Sequence, residues 1–316
     1  MVALTTPVSV PWRRLTWATW RQHRTALIGT SLLVVLTALV MAVSGSWAHR
    51  AAGRHGAAWL AGSPHHFLAL LSSNGLVQLL PLAAGAFLGA PLLAREAEAG
   101  TTALAWTQGT GRTRWLLARV IPLAAVLGLA AASLGLEFRW WISPLRPGTD
   151  DWSGERFYVN PLPLAGWTVL AFTLGVLVGA VLRRTVPAMA VTLLCYGAAL
   201  NFTTHFLRPY YLAPLHRMNT IAGSPGASYG VYWSAGRGPG PYYLDSGPGW
   251  PDGRLLTQGQ LQHSQAWYTL HHITTWTVYQ PASRYGLFQL IEFGWLTVLS
   301  LLLVAATVAI VRRRAA

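Results

Sequence analysis

This 316-residue chain contains no lysine, so its 23 residues of the Lys and Arg types are all arginines. Without lysine there is no phosphate-loop Lys of a Walker A nucleotide site, no lysine nucleophile or Schiff base, and no protein-kinase lysine. The single cysteine, Cys195, excludes an intramolecular disulfide and any cysteine-rich zinc or iron–sulfur site. These absences exclude several large enzyme classes at once.

Charged residues are also scarce. They make up 10% of the chain, whereas apolar types make up 53%, and a soluble domain carries about 25% charged residues. The formal net charge of +14 is compatible with binding to nucleic acid or to an anionic membrane surface. The apolar excess favours the membrane.

Long apolar runs are the strongest pattern. Six stretches reach the roughly 20 residues that cross about 30 Å of hydrocarbon, and the only charged residues within them are Arg119 and Glu292. A charge at mid-span costs about 2.5–3.5 kcal/mol on insertion scales, and core helices of soluble proteins keep a polar face. The pattern therefore predicts an all-α polytopic membrane protein with spans at 26–48, 75–94, 116–136, 161–182, 186–207 and 286–311.

The arginines are distributed unevenly between the two sides of these spans. One side has only 54 residues but 12 arginines, whereas the other has 128 residues and 10 arginines. The positive-inside rule then places the arginine-dense side, with both termini, in the cytoplasm of a cell bounded by its plasma membrane. The predicted cytoplasmic segments are 1–25, 95–115, 183–185 and 312–316, and the predicted external ones are 49–74, 137–160 and 208–285.

The segments before span 1 and between spans 5 and 6 differ in character. Within residues 1–25, positions 12–24 place Trp12 and Trp20 opposite the arginines on a helical wheel, which predicts an amphipathic interfacial helix; a simple charged leader is the alternative. Residues 208–285 are rich in Gly, Pro and aromatic residues. They predict a loop-rich external insertion with little regular structure before about residue 258, then one short helix and one short strand within 258–280.

Polar residues inside or beside the spans are candidates for a substrate path or outer gate. Glu292 is the main one, because an ionisable residue within a span is a functional candidate by default; a structural ion pair with Arg284 or a polar anchor is the alternative. The others predicted for this role are Asn74, Gln78, Gln289 and Arg284, with interhelical hydrogen bonding as the alternative for the first two.

Small and rigid residues in span 2 predict local packing features. Gly85 and Gly89, four residues apart, permit close helix approach, and Pro81 and Pro91 predict a kink.

The ten histidines lack a His-Glu-x-x-His motif, so we expect no metal site, although external histidines such as His65, His66 and His271 leave that alternative open.

Three motifs carry a resemblance to a known family. They are Arg95-Glu96-x-Glu98-x-Gly100-Thr101 with Ala105-Trp106-Thr107-Gln108 and Arg112-x-Arg114-Trp115; then Tyr279-Gln280-Pro281-Ala282-Ser283-Arg284 with Phe288-Gln289-x-Ile291-Glu292; and Trp20-Arg21-Gln22-His23-Arg24. Together with six spans, they resemble ABC type 2 transporter permeases, closest to an actinobacterial subgroup. Thr102-Ala103 departs from relatives that often carry polar or basic residues there.

The resemblance implies a transmembrane permease subunit rather than an enzyme. Such a subunit pairs with an identical or different permease chain and with two ATP-binding subunits. ATP and Mg²⁺ are bound by those partners, with no cofactor in this chain. Export of a drug, antibiotic, lipid or other amphipathic substrate is expected; a membrane sensor or assembly scaffold, or a membrane enzyme with an external histidine metal site, are the alternatives. Residues 95–115 become a short cytoplasmic coupling helix that contacts the ATPase through Arg95, Glu96, Glu98, Gly100, Thr101, Trp106, Gln108, Arg112, Arg114 and Trp115.

Overall fold

The protein is described by a computed structural model that covers residues 12–56, 59, 77–100, 112–145, 152, 154–220, 242–249, 267, 270–272 and 274–313. The chain divides into two compact units. Unit 1 comprises Met1–Pro144, Glu155–Asn201 and Gln289–Ala316, and unit 2 comprises Leu145–Gly154 and Phe202–Phe288.

Among the described residues, six helices are long and apolar enough to cross a membrane. Each overlaps one of the predicted spans, so the prediction of six transmembrane helices is confirmed. Their continuous apolar stretches form helices because unpaired backbone N–H and C=O groups are costly in hydrocarbon. We label them α1 (Trp12–His55), α2 (Val77–Glu98), α3 (Arg112–Ile142), α4 (Pro161–Leu182), α5 (Thr185–Phe202) and α6 (Tyr285–Arg313).

Helix α1 is longer than a span requires. Its 44 residues extend about 66 Å at 1.5 Å per residue, roughly twice the hydrocarbon thickness. The predicted interfacial segment 12–24 is therefore helical but continuous with span 1, and no break at residue 25 separates the two. An orientation of residues 12–24 along the membrane surface stays a prediction.

Helix α2 contains a π-helical turn at Ala84–Gly89, followed by an α-helical stretch at Ala90–Glu98. The N–H of Ala90 bonds to the carbonyl of Gly85, five residues back. Pro91 follows directly; it has no N–H to donate, and its ring would crowd the preceding turn of a regular α-helix. The wider π turn accommodates that proline, so the local distortion between Pro81 and Pro91 takes this form.

Helices α2 and α4 approach each other through glycine. A Cβ atom on Gly89 would collide with the carbonyl oxygen of Phe172, and one on Gly175 would lie 2.7 Å from the backbone nitrogen of Ala90. The predicted close approach at Gly85 and Gly89 is thus confirmed, with α4 as the partner. The contact borders a buried cluster of α2, α3, α4 and α6 side chains that includes Leu88, Leu92, Leu116, Val120, Phe172, Val176 and Val311.

Side-chain contacts fix how the ends of the unit 1 helices are grouped. His49 stacks on Trp140 with ring centroids 4.8 Å apart, so the C-terminal ends of α1 and α3 lie together. At the opposite end, Arg312 Nε donates a hydrogen bond of 3.0 Å to Thr113 Oγ1. This second end carries the C-termini of α2, α4 and α6 and the N-termini of α3 and α5. We call it the arginine-rich end, defined by Arg95, Arg114, Arg183, Arg184, Arg312 and Arg313.

Unit 2 contains a three-stranded antiparallel sheet: β1 (Leu215–Thr220), β2 (Tyr242–Gly249) and β3 (Thr274–Gln280), in the order β1-β3-β2. The sheet adds strands that the all-α prediction did not include, and much of the predicted loop-rich insertion lies outside the described residues. The strand expected within 258–280 is confirmed as β3, whereas β1 and β2 fall before residue 258, where little regular structure was predicted. Residue 267 and residue 270 are helical, and the rest of the short helix expected in 258–280 lies outside the described residues.

The residue compositions of the central and edge strands explain why sequence patterns predicted only one of the three strands. The central strand β3, Thr-Thr-Trp-Thr-Val-Tyr-Gln, is rich in β-branched and aromatic residues that favour strands. Strand β2 includes Asp245, Gly247, Pro248 and Gly249, which disfavour strands. Because β2 is an edge strand, the missing N–H of Pro248 need not interrupt an interior ladder.

Candidate functional site

Helix α2 ends at the segment that was predicted to couple to an ATPase. The N–H of Ala99 bonds to the carbonyl of Arg95, and the N–H of Gly100 bonds to that of Ala97. Gly100 has φ of +65°, a left-handed conformation that glycine adopts without the steric penalty of a Cβ atom. Gly100 is thus the helix terminator, as expected, but Arg95, Glu96 and Glu98 form the last turn of α2 rather than a separate short helix.

Glu98 links the end of α2 to the start of α5. One oxygen of its carboxyl group accepts a hydrogen bond of 2.8 Å from the backbone N–H of Thr185, and the other accepts one of 2.6 Å from the Thr185 hydroxyl. Backbone N–H groups at a helix N-terminus lack helical partners and favour an anionic acceptor. The contact therefore connects the predicted coupling segment to a second membrane helix.

Glu96 links the same turn of α2 to α3. Its Oε1 accepts a hydrogen bond of 2.5 Å from Nη1 of Arg119, and both side chains are buried. The Arg119 guanidinium also lies over the buried Trp115 ring, 4.0 Å from the centroid. The partner of this charge inside span 3 is therefore the acidic residue that the family motif places four residues before Gly100.

The arginine-rich end presents a positive surface. Arg95, Arg183, Arg184, Arg312 and Arg313 are exposed, and Arg114 is half-buried. Trp115 is buried and packs beside Arg119, and its predicted part in coupling to an ATPase stays a prediction. Thr101, Trp106, Gln108 and the side chain of Arg112 lie outside the described residues, so their predicted contact with an ATPase stays a prediction.

Glu292, the predicted path or gate residue, lies in a buried aromatic group within unit 1. It is 0% exposed, and its Oε1 accepts a hydrogen bond of 2.8 Å from the indole N–H of Trp167 on α4. Trp167 makes edge-on contacts with Tyr196 of α5 and Trp295 of α6, at centroid distances of 5.8 and 5.9 Å. We call Trp167, Tyr196, Glu292 and Trp295 the carboxyl–aromatic group; it joins three of the six spans.

Of the other four residues predicted for the substrate path or gate, the structure describes three, and their role in a path stays a prediction. Gln289 is buried and Gln78 is half-buried, while Asn74 lies outside the described residues. Arg284 belongs to unit 2, where its Nη1 donates hydrogen bonds of 2.8 Å to the carbonyl of Ala213 and to Oε1 of Gln280. The structure thus gives Arg284 hydrogen-bond partners within unit 2.

Unit 2 shows which contacts Gln280 and Phe288 of the second motif make. The buried Gln280 donates from Nε2 to the carbonyl of Leu212 at 2.7 Å and to that of Pro209 at 3.3 Å. Trp152 packs edge-on against Phe288, with centroids 5.1 Å apart. The motif residues around 280–288 therefore hold the chain segments on either side of the sheet together.

Several important residues were not singled out from sequence. Thr185, Trp167 and Tyr196 each lie far along the chain from their partners, and only the Thr after Arg183-Arg184 at a helix start offers a local signal. Gly175 and Gly179 repeat the four-residue spacing of Gly85 and Gly89, and that signal was available.

The alternative of an external histidine metal site finds no candidate cluster within the described residues. Among them, no group of three or more His, Cys, Asp or Glu side chains is arranged to hold a metal ion. His65 and His66 lie outside that part of the chain.

Within the described residues, the six long apolar helices, with glycine at close contacts and with the two charges of the predicted spans buried beside partners, support a multi-pass membrane protein. Residues 61–208 match the family model of ABC-2 membrane transporter related proteins. The match covers slightly less than half of the chain and supports its resemblance to an ABC-2 type permease. No curated protein and no solved structure matches the chain.

Proposed function

We propose that this chain is the permease subunit of an ATP-binding-cassette exporter. It moves a drug, antibiotic, lipid or other amphipathic substrate across a bacterial plasma membrane, with ATP and Mg²⁺ bound and hydrolysed by two separate subunits. A second permease chain, identical or different, completes the membrane part. Both termini and the arginine-rich end face the cytoplasm, where nucleotide is available. Support comes from the family match, the six spans and the arginine distribution.

The observation that carries the proposal is the pair of acidic links at the end of α2. Glu96 contacts α3 through Arg119, and Glu98 contacts α5 through Thr185. A push on the segment after Glu98 would therefore reach two further membrane helices directly. Two conformations of packed helices, biased by a partner's nucleotide state, are sufficient for alternating access.

In this proposal Glu98 and Thr185 are positioning residues. They do not contact nucleotide; they transmit movement of the coupling segment to α5. The carboxyl–aromatic group around Glu292 is proposed to border the substrate path, because three spans meet there and the Tyr196 hydroxyl is buried without a hydrogen-bond partner among the described residues.

The test is co-purification with the ATP-binding subunit encoded nearest to this gene. We expect the wild-type chain to recover that subunit and to stimulate its ATPase activity. Reversal of charge at Arg183 and Arg184 to Glu should reduce recovery severalfold, because two exposed cations at the docking end become anions. The matched control is Arg139→Glu, an exposed arginine near the opposite end of α3, which should recover the subunit normally.

Thr185→Val separates docking from coupling in the same preparation. The variant removes the hydroxyl donor to Glu98 but keeps the backbone N–H. We expect normal recovery of the ATPase subunit with weaker stimulation of its activity. Failure of the wild-type chain to recover any ATP-binding subunit, or equal losses in the Arg183/Arg184 and Arg139 variants, would contradict the proposed function.

A further inference from the structure

A groove at the C-terminal end of α1 has no role in the function proposed above. It encloses about 300 Å³ and is lined by Trp47, Arg50, Ala51, Arg54, His55 and Trp59. Positions 47, 50, 51, 54 and 55 follow the three- and four-residue spacing that places side chains on one face of a helix. The His55 and Trp59 rings lie 4.5 Å apart and form an aromatic wall.

The two guanidinium groups of this groove have no carboxylate partner within the described residues. Arg50 Nε donates to the carbonyl of Ser46 at 3.0 Å, and the Arg54 side chain is exposed. Helix α1 contains no Asp or Glu along its 44 residues. Two adjacent arginines without an acidic neighbour create a local site for an anion.

The depth of the groove points to the lipid headgroup region. The apolar stretch of α1 begins at Ile28, and about 20 helical residues from there cross the hydrocarbon, reaching Trp47. Arg50 and Arg54 then lie about 4–11 Å beyond the hydrocarbon at 1.5 Å per residue. Trp47, Trp140 and Trp141 occur at this same end of α1 and α3, and tryptophan is enriched at that depth.

An exposed apolar stripe leads from the groove into the span. Leu36, Val40, Val43 and Trp47 are spaced by three or four residues and are all exposed. A free phosphate ion would not use this stripe, whereas the acyl chains of a lipid would lie along it while the phosphate reached the arginines. Charge, depth and the adjoining apolar surface together distinguish a lipid from a soluble anion.

We propose that this groove binds the phosphate of an anionic phospholipid, with Arg50 and Arg54 as donors to the phosphate oxygens. The planar guanidinium forks match two phosphate oxygens each, and the tryptophans flank the glycerol region. This site does not depend on ATP coupling or on substrate transport. It would persist even if the proposed exporter function failed.

The experiment measures lipid retention by the full-length chain in mild detergent, using native mass spectrometry after stepwise delipidation. The probes are phosphatidylglycerol, phosphatidylcholine and inorganic phosphate. We expect the wild-type chain to retain phosphatidylglycerol in preference to phosphatidylcholine, with no displacement by inorganic phosphate. The double variant Arg50→Gln/Arg54→Gln should lose about 25-fold in retention, from about fivefold per arginine near an anionic surface.

Two further variants make the result specific. Arg50→Lys/Arg54→Lys keeps the charge but lacks the fork, so its retention should fall between those of the wild type and the Gln variant. Arg139→Gln removes an exposed charge outside the groove and should match the wild type. If the double Gln variant does not fold, Arg54→Gln alone should still show about a fivefold loss.

Three results would overturn the proposal. The first is unchanged phosphatidylglycerol retention in the folded Gln variants. The second is an equal loss in Arg139→Gln, which would indicate a general effect of surface charge. The third is displacement of the lipid by inorganic phosphate, which would assign the groove to a soluble anion.

Discussion

Arg119 and Glu292 are the two charged residues inside the predicted spans, and both are buried beside a partner from another helix. Arg119 pairs with Glu96 of α2, and Glu292 accepts a hydrogen bond from Trp167 of α4. An unpaired charge in this environment is expensive, so such residues face the helix bundle and find partners. Sequence alone identified both as exceptional residues, but their partners lie 23 and 125 positions away, and no periodic pattern connects them.

The Glu96–Arg119 pair should be strongly coupled. Arg119→Gln leaves the Glu96 carboxylate buried without its cation, and breaking a buried pair in this way costs about 3–5 kcal/mol. Thermal unfolding of the purified chain in detergent measures the effect. The double variant Glu96→Gln/Arg119→Gln should be less destabilised than Arg119→Gln alone. Arg95→Gln, an exposed neighbour, is the control and should stay within about 0.5 kcal/mol of the wild type.

Two substitutions of Glu292 distinguish a packing role from a role in the substrate path. Glu292→Gln keeps an oxygen acceptor for Trp167, so we expect stability within about 1 kcal/mol of the wild type. Glu292→Leu leaves the indole N–H unpaired and should lose about 1–3 kcal/mol. Under the proposed function, Glu292→Gln nevertheless lowers ATP-dependent transport. Wild-type transport by a stable Glu292→Gln variant would contradict a path role for this residue.

At the scale of helices and strands, the length and apolar character of a segment decide most of what sequence can predict. Six spans follow from hydrocarbon thickness and charge depletion alone. The edge strand β2 was missed because its Gly and Pro residues favour turns, and its strand conformation depends on pairing with β3. The sequence predicted a separate coupling helix because Gly100 is a recognisable helix-end signal. No local sequence signal indicates that the turn before Gly100 continues α2.

The glycine contact between α2 and α4 gives a test at this scale. Gly89→Ala places a Cβ atom against the carbonyl of Phe172, so the helices must separate. We expect destabilisation of about 1–3 kcal/mol, typical of overpacking, measured by thermal unfolding in detergent. Gly197→Ala in α5 is the matched control, because nothing lies within 4 Å of its added Cβ. Alanine favours helix over glycine by about 1 kcal/mol, so the control should be neutral or more stable.

At the scale of the whole molecule, the proposed function depends on which side of the membrane holds the arginine-rich end. In unit 1, the α2 C-terminus, the α3 N-terminus and the α4–α5 turn are tied together there by Glu96 and Glu98. The positive-inside rule predicts this end in the cytoplasm. An ATP-binding subunit can drive the permease only from that side, so topology and proposed function stand together.

Thiol labelling in intact cells measures this directly. Cys195 is first replaced by Ser, and Ala99→Cys and Gly53→Cys then place single thiols at exposed positions near opposite ends of unit 1. A membrane-impermeant maleimide should label Gly53→Cys in intact cells and Ala99→Cys only after the membrane is permeabilised. Labelling of Ala99→Cys from outside intact cells would contradict the account.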